Sequence, residues 1–550
     1  MLGSKMETFD YVIVGAGSAG SVLANRLGED PSVRICVLEA GPADLSPFIH
    51  IPAGFIYTIK DPKINWLYET EPTEWTAGRA IQQPRGKTLG GSSSINGHIY
   101  TRGNRMDYDG WAQRGNQGWG YADVLPYFRR SERRVGEGDD TFRGREGPLT
   151  VTDIDWSHPL TDAFIEGVQT IGIPKAIDYN GAKQEGVTYS QRTIANGRRM
   201  SAARAFLRPA MKRGNVRVIT NAHATRILLE GKRAVGIEYK KGGRNGKTLQ
   251  VMASREVILS GGTINSPQLL QVSGIGAPDF LQKLGIEVRH ALPGVGENLR
   301  DHYAPRFTAR VKNIDSLNEK ASGLKLLGEI AKWGLTRKGI LSLSPTLVYC
   351  FWRSNPDLDN SDVQFTFTPA SYKEGVQSEL DDFPGMTIAS WQQRPESSGY
   401  VRARSADPFE KPVIQPRYLE HETDRQVLLA GMKLARRMIL TEPMKPYFDH
   451  WIYPGEDVQS DDELLQVAKE RGTTTFHPMG TCRMAPRTDP TAVVDDRLRV
   501  YGLEGLRVVD ASVMPMMPSA NLNAPTIMIA EKAADMIRGK EPPEPVILKD

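Results

Sequence analysis

Residues 10–20 read DYVIVGAGSAG, and this stretch decides the fold. It predicts a buried strand that runs into a glycine-rich turn, followed by a helix whose apolar residues recur at helical spacing up to Leu27. A second predicted strand over residues 34–38 ends at Glu39. A strand, a G-x-G-x-x-G turn, a helix, a second strand and an acid about twenty residues beyond the glycines are typical of a dinucleotide-binding unit. The alternative is a glycine-rich turn that only closes an ordinary α/β unit.

The residues of this turn are suited to hold a pyrophosphate. Gly15, Gly17 and Gly20 let the chain turn sharply and let its backbone approach phosphate oxygens. The helix that begins near Ser18 presents free N–H groups and the positive end of its dipole. Glu39 is placed to accept hydrogen bonds from an adenosine ribose.

The overall composition is that of a globular protein. The 550 residues include 69 basic and 65 acidic residues, which leaves a net charge of +4, and 39% are hydrophobic. These values exclude a disordered, collagen-like or coiled-coil chain. The net charge is too small to indicate nucleic acid or an anionic membrane as the main partner.

The cysteines indicate the cellular compartment. Cys36, Cys350 and Cys482 lie far apart, and no C-x-x-C pair occurs. An odd number of scattered cysteines favours a reducing compartment, so we expect a cytoplasmic protein. No apolar run of about 18 residues occurs, so we expect no transmembrane segment, although peripheral association with a membrane stays open.

The order of predicted elements indicates a discontinuous cofactor domain. The fold class is α/β, or α+β over the whole chain: a Rossmann-like domain with an inserted substrate domain built on an antiparallel sheet with helices. A strand pattern like that of the first nucleotide-binding segment occurs again near the end of the sequence, where residues 506–510 read LRVVD. A terminal helix is predicted after it, over residues 526–537. The expected segments are cofactor domain 1–155 with an excursion over 46–97, substrate segment 156–190, cofactor domain 191–305, substrate domain 306–474 and cofactor domain 475–550.

Three further stretches are candidates for a functional site. Residues 86–97 read GKTLGGSSSING and form either a second cofactor loop or an ordinary surface loop. His477 stands beside Pro478 in residues 474–484, TTFHPMGTCRM, and is either a catalytic base or a structural histidine. Residues 519–526, SANLNAPT, open the terminal helix and either cap it or point an amide at a ligand.

Two other kinds of enzyme lack a local signature. No two of the nine histidines lie within five residues of each other, so no zinc motif such as H-E-x-x-H exists, and no metal is expected. The sequence also contains no G-x-S-x-G nucleophile turn of the serine hydrolases.

Four motifs taken together resemble one known family. The chain is similar to the glucose–methanol–choline (GMC) FAD-dependent oxidoreductases through GAGSAG with Glu39, GKTLGGSSSINGHIY at 86–100, GTINSPQLLQVSGIG at 262–276, and HPMGTCRM with VVDASVMP and SANLNAPTIMIAEKAAD near the end. Their order and spacing span residues 8–538. Within the family the chain resembles most the bacterial choline dehydrogenase and aliphatic alcohol dehydrogenase branch.

The resemblance implies a role for individual residues. His477 matches the active-site histidine of the family, and Asn521 matches the second active-site position. Ile95 occupies a position where some relatives carry a histidine bonded to FAD, so FAD is expected to bind non-covalently here. The expected FAD contacts are Gly15, Gly17, Ser18, Gly20, Glu39, Leu89, Gly90, Gly91, Asn96, Ala224, Asp510, Ala511 and Asn523.

The resemblance also implies the reaction. A small alcohol, expected to be primary, is oxidised to the aldehyde by hydride transfer to flavin N5, with His477 as general base. The alternatives are a choline-specific dehydrogenase, an oxygen-using alcohol oxidase, and a non-redox FAD enzyme of the hydroxynitrile lyase kind. The sequence leaves open the identity of the alcohol, the electron acceptor (oxygen, quinone or another) and the oligomeric state.

Overall fold

Two large β-sheets organise the protein. The structure is a computed structural model, and it describes residues 7–373 and 379–548. The strands of the two sheets are, in chain order, β1 (Glu7–Val14), β2 (Ile35–Leu38), β3 (Gly186–Tyr189), β4 (Val216–Ile219), β5 (Ala222–Glu230), β6 (Arg233–Lys241), β7 (Lys247–Leu259), β8 (Arg306–Val311), β9 (Val348–Trp352), β10 (Val363–Thr368), β11 (Gly385–Gln392), β12 (Phe448–Tyr453) and β13 (Leu506–Val508).

Helices cover both sheets. The longer helices are α1 (Ser18–Leu27), α2 (Arg105–Gln113), α3 (Tyr121–Ser131), α4 (Pro159–Thr170), α5 (Gly262–Val272), α6 (Gly323–Thr336), α7 (Glu422–Ile439), α8 (Asp461–Arg471) and α9 (Asn523–Arg538). Within the described ranges, no helix is both long and apolar enough to span a lipid bilayer.

Shorter strands form small sheets around this frame. The pairs are Tyr68–Glu69 with Gln82–Gln83, Glu132–Val135 with Leu149–Thr152, Ile194–Ala195 with Arg198–Arg199, Ile275–Gly276 with His290–Ala291, and Tyr303–Ala304 with Thr473–Thr474. Glu297–Leu299, Gly399–Arg402 and Val413–Gln415 form a three-stranded sheet.

The first sheet carries the dinucleotide-binding unit. Its order is β4-β2-β1-β7-β6-β5, and β13 pairs with the second half of β7. Strands β4, β2, β1, β7 and β13 are parallel, whereas β6 is antiparallel to β7 and β5 is antiparallel to β6. All four residues of β2 are buried, as expected for a parallel strand covered on both faces. The predicted Rossmann-like unit is therefore confirmed.

The first helix packs closely on this sheet because of a glycine. A Cβ atom built on Gly20 would lie 1.9 Å from the carbonyl oxygen of Gly15, so no larger residue fits there. Helix α9, near the far end of the sequence, packs against α1 and α3. The last described helix thus completes the layer that the first helix begins.

The second sheet is wholly antiparallel. Its order is β12-β8-β11-β10-β9-β3, and α7 packs on β11 and β10. The apolar residues between this sheet and its helices form a second core, which includes Phe307, Phe365 and Met432. This sheet is the predicted antiparallel substrate layer; the boundaries of the five expected segments remain a prediction.

One strand is unusually long, and one predicted helix begins earlier than expected. Residues 249–253 and 257–259 both belong to the single strand β7. This strand changes partner half-way, from β6 to β13, and its register with β1 shifts after Phe9. The terminal helix begins at Asn523 rather than at residue 526, because Pro525 is tolerated in the first turn of a helix.

Candidate active site

A large cavity lies where the two sheets face each other. Its volume is about 1390 Å³, which exceeds the range of roughly 300–1,000 Å³ that is typical of sites for drug-sized ligands. Its lining runs from the glycine turn after β1 to residues of β8–β11 in the second sheet. The cavity therefore has room for a dinucleotide at one end and a substrate at the other.

The glycine turn and Glu39 form the dinucleotide end. The Glu39 carboxylate accepts hydrogen bonds from the backbone N–H groups of Ala16 and Gly41, both at 2.9 Å. Burial raises the pKa of Glu39 to about 7, although these two hydrogen bonds oppose the rise. No side chain caps α1 at Gly17, so its first N–H groups are available to a phosphate.

The loop over residues 86–97 packs directly on this turn. A Cβ atom built on Gly91 would lie 2.8 Å from the Cα atom of Gly17, and the φ angle of Gly91 is +52°. The Gly90 N–H donates to the carbonyl oxygen of Ala16 at 2.8 Å. The two glycine-rich segments thus lie against each other along the cavity wall, and the absence of side chains there leaves a channel suited to an extended cofactor such as FAD.

Most of the expected FAD contacts line this cavity. Gly20, Leu89 and Gly90 lie behind the lining rather than in it, because they hold the glycine turn and the loop together. Ile95 is in the lining and carries no nucleophile. The expected contacts that line the cavity are Gly15, Gly17, Ser18, Glu39, Gly91, Asn96, Ala224, Asp510, Ala511 and Asn523.

His477 and Asn521 meet at the other end of the same cavity. The Asn521 Nδ2 atom lies 3.0 Å from the His477 Nε2 atom, and both residues line the cavity. The helix-cap alternative for Asn521 does not hold, since the residue in the N-cap position of α9 is Leu522 and no side chain caps this helix. The structure therefore brings the two expected catalytic residues together.

The orientation of the Asn521 amide is fixed by two donors. The hydroxyl groups of Thr101 and Tyr349 both donate to Asn521 Oδ1 at 3.1 Å. Since the carbonyl oxygen must face these donors, the NH₂ group faces His477 and donates to its Nε2 atom.

The protonation state of His477 follows from its other neighbour. His302 Nε2 lies 2.7 Å from the carbonyl oxygen of Gln393, and a carbonyl can only accept, so His302 carries its proton on Nε2. Its Nδ1 atom is then an acceptor, and it lies 3.0 Å from His477 Nδ1. The proton of His477 is therefore on Nδ1, which leaves its Nε2 atom unprotonated at the cavity.

The surroundings keep His477 neutral. Burial lowers the pKa of His477 well below its ordinary value, and the neighbouring His302 and Arg85 act in the same direction. The backbone N–H of His477 donates to the Asp301 carboxylate at 2.8 Å, and the Thr475 hydroxyl lies 2.8 Å from its Nδ1 atom. A neutral imidazole with an unprotonated Nε2 atom can accept a proton from an alcohol.

Several residues of this site were not singled out from the sequence. The Asp301 carboxylate accepts hydrogen bonds from the backbone N–H groups of His302 and His477, and Thr474 donates to it as well. His477 and Thr474 lie more than 170 residues from Asp301 and His302 in the chain, so no local spacing indicated these contacts. In the sequence, the feature that could have indicated this part of the site is the adjacent pair of an acid and a histidine, Asp301 and His302.

Comparison with known families gives one match. A family model described as GMC oxidoreductase matches residues 9–304 with its N-terminal part and residues 395–530 with its C-terminal part. These ranges contain the glycine turn, the second glycine-rich loop, His477 and Asn521.

Curated relatives match over nearly the whole chain. The mitochondrial choline dehydrogenase of Homo sapiens is 44% identical, with 97% of this chain and 90% of the relative covered. The oxygen-dependent choline dehydrogenase of Staphylococcus saprophyticus is 42% identical, with 98% of this chain and 96% of the relative covered. Among solved structures, pyridoxine 4-oxidase from Mesorbium loti is 30% identical with a TM-score of 0.86, with 97% of this chain and all of that one covered.

Proposed function

The chain belongs to the GMC oxidoreductase family, and from that premise we propose that it oxidises a primary alcohol to the aldehyde with His477 as the base. It is an FAD-dependent oxidoreductase that acts on CH–OH donors. The observation that carries the assignment of the base is the pair formed by His477 Nε2 and Asn521 Nδ2, 3.0 Å apart at the cavity.

The residues around the cavity have different roles in the reaction. His477 Nε2 accepts the hydroxyl proton of the substrate, because its Nδ1 atom already carries a proton. The Asn521 amide donates a hydrogen bond to the oxygen that becomes negatively charged. FAD, when bound, would supply the acceptor for the hydride of the carbinol carbon. Because His477 is buried, these electrostatic interactions are stronger than they would be in water.

The cofactor is held by the glycine turn, the second loop and the start of α9. The Ser18 hydroxyl donates to Asn523 Oδ1 at 2.8 Å, which ties the first helix to the last one at the cavity wall. The Asp510 carboxylate accepts from Gly262 N–H and from the Ser266 hydroxyl, so it orders the backbone beside the first sheet. We infer that these groups hold the phosphates and the ribityl chain of FAD without a covalent bond.

Choline is a second candidate substrate, because the curated relatives described above are choline dehydrogenases. Aromatic rings of Tyr349, Trp391 and Phe476 line the substrate end of the cavity and are suited to contact a quaternary ammonium group.

One of these choline dehydrogenase relatives is oxygen-dependent, so molecular oxygen is the first electron acceptor to examine. We place the protein in the cytoplasm because Cys36, Cys350 and Cys482 are buried and unpaired.

One experiment tests the reaction. The FAD-loaded protein is mixed without oxygen with hexan-1-ol, benzyl alcohol or choline, and the loss of visible flavin absorbance is followed. We expect at least one alcohol to bleach the flavin, and His477→Ala to slow the bleaching about 100-fold or more. His450→Ala, at an exposed histidine, is the matched control. A flavin that no alcohol reduces would favour the lyase alternative, and a His477→Ala variant as fast as the parent would show that another group takes the proton.

A further inference from the structure

The substrate end of the cavity has a floor formed by the second sheet. The strand registers place Tyr349 opposite Thr366, Thr366 opposite Ala389, and Ala389 opposite Arg306. All four residues line the cavity. Tyr349 marks the catalytic end of this row, since its hydroxyl donates to Asn521, and Arg306 marks the other end.

The register also fixes the span of the row. Neighbouring strands of a sheet lie about 4.8 Å apart, so the three strand spacings put the backbone of Arg306 roughly 14 Å from that of Tyr349. The next row of the floor consists of Thr308, Thr387 and Thr368, which also line the cavity. The seven residues named in these two rows therefore offer hydroxyl groups and small side chains, and Arg306 is the cation among them.

Arg306 has no charged partner among residues 7–373 and 379–548, where its guanidinium takes part in none of the observed salt bridges or side-chain hydrogen bonds. Burial lowers the pKa of Arg306, and among the described residues the phenol of Tyr372 opposes this effect. An unpaired cation in a partly buried position is costly to the folded protein, which indicates that it serves a ligand.

The nearby Glu379 carboxylate is paired with other cations. Glu379 pairs with Lys60 at 3.5 Å and with Lys373 at 3.9 Å, and all three residues line the cavity. These lysines neutralise Glu379, whereas Arg306 remains as a positive charge on the floor. A quaternary ammonium group bound over this floor would be repelled by Arg306, while a carboxylate would find a guanidinium that can bind it through two hydrogen bonds.

We propose that Arg306 binds the anionic end of the substrate, so that the preferred alcohol is a primary alcohol with a terminal carboxylate, an ω-hydroxycarboxylic acid, rather than choline. The hydroxyl end lies at His477 and Asn521, and the carboxylate end reaches across the threonine-lined floor to Arg306. This inference rests on the proposed oxidation of a primary alcohol and specifies its substrate class.

The test compares three alcohols on the FAD-loaded enzyme. The ratio kcat/KM is measured for 6-hydroxyhexanoate, hexan-1-ol and choline, on the parent, on Arg306→Met and on Arg306→Lys. A hydrogen-bonded charge pair corresponds to about 10- to 100-fold in affinity. We expect Arg306→Met to lose about that factor with 6-hydroxyhexanoate, to keep its rate with hexan-1-ol, and to be partly restored by lysine.

The matched control is Arg310→Met. Arg310 stands on the same strand but is exposed and lies outside the cavity lining, so this variant should change none of the three ratios. The FAD content and the melting temperature of each variant show that it is folded.

The outcomes separate this inference from the proposed function. If hexan-1-ol is oxidised but 6-hydroxyhexanoate is no better a substrate than hexan-1-ol, the carboxylate site is wrong and the proposed function stands. An equal loss with both alcohols in Arg306→Met, or a parent enzyme that prefers choline to both, also overturns the site. If no alcohol reduces the flavin, the proposed function itself fails.

Discussion

At the scale of single residues, the position of the proton on His477 is set by a backbone carbonyl that contacts His302 and not His477 itself. The carbonyl of Gln393 holds the proton of His302 on Nε2, and His302 in turn holds the proton of His477 on Nδ1. His302 does not line the cavity, so it is a positioning residue rather than a catalytic one. Its effect should therefore be visible in the pH dependence as well as in the rate.

His302→Leu should slow flavin reduction and move its acid limb to higher pH. His302 lowers the pKa of His477, together with burial and Arg85, so its removal lets that pKa rise. The base works only when it is neutral, and activity is lost as the pH falls through its pKa; the loss should therefore begin at a higher pH in the variant. The pH profile of anaerobic flavin reduction measures this. A slower variant with an unshifted profile would show that His302 has a structural role alone.

Asn521→Asp should also slow flavin reduction markedly. The carboxylate can still accept from Thr101 and Tyr349, but it cannot donate to His477 Nε2, and its charge raises the pKa of His477. Thermal stability should change by about 1 kcal/mol or less, because Asn521 does not cap α9. Flavin reduction and the melting temperature are measured together, with Asn355→Asp in an exposed turn as the control. An unchanged reduction rate would remove Asn521 from the active site.

At the scale of structural elements, the glycine turn after β1 and the loop over residues 86–97 act as one unit. Gly91 has a φ angle of +52° and lies against Gly17, so the loop can approach the turn only without a side chain. This contact leaves the cavity wall smooth where the cofactor is expected.

Gly91→Ala should weaken FAD binding at least about tenfold. The added Cβ would lie 2.8 Å from the Gly17 Cα atom, so the loop must move away from the turn, and the left-handed backbone adds strain. Equilibrium titration of the FAD-free protein with FAD measures the change. Gly110→Ala is the control, since its Cβ would meet nothing within 4 Å. Equal FAD affinity in both variants would show that the loop does not shape the cofactor site.

The parts of the fold that depend on neighbouring residues in the chain could be predicted from the sequence. The glycine turn, Glu39 and the start of α1 follow from the conformational freedom of glycine and from apolar spacing, and the structure has them as expected. The contacts of Asp301, His302 and Tyr349 could not be predicted in this way. Asp301 and His302 lie beside His477 because Tyr303–Ala304 pairs with Thr473–Thr474, and Tyr349 reaches Asn521 from the second sheet; pairing over such distances leaves no periodic signal in the sequence.

At the scale of the whole molecule, the cavity joins the two sheets. Its lining takes residues from β1, β2 and β7 in the first sheet and from β8–β11 in the second. A ligand that fills this cavity contacts both cores at once, and it should stabilise them together.

Removal of FAD should lower the melting temperature of the whole protein. A ligand that binds only the folded state stabilises it by about 2.7 kcal/mol at a free concentration roughly 100 times its Kd. Differential scanning calorimetry of the FAD-free and reloaded protein measures this, and both sheets should unfold in one transition when FAD is present. A melting temperature that FAD leaves unchanged would contradict a cofactor held between the two sheets.

The discontinuous first sheet also determines when the protein can mature during its synthesis. Strand β1 and helix α1 leave the ribosome first, but β13, the start of α9 and the Asn521 side chain follow some 500 residues later. Until then the apolar surface of α1 that α9 covers is exposed, which makes the nascent chain prone to aggregation. Flavin insertion is therefore a late event, after translation is nearly complete. A premature stop codon that removes only the last tenth of the chain would leave a protein unable to retain its cofactor.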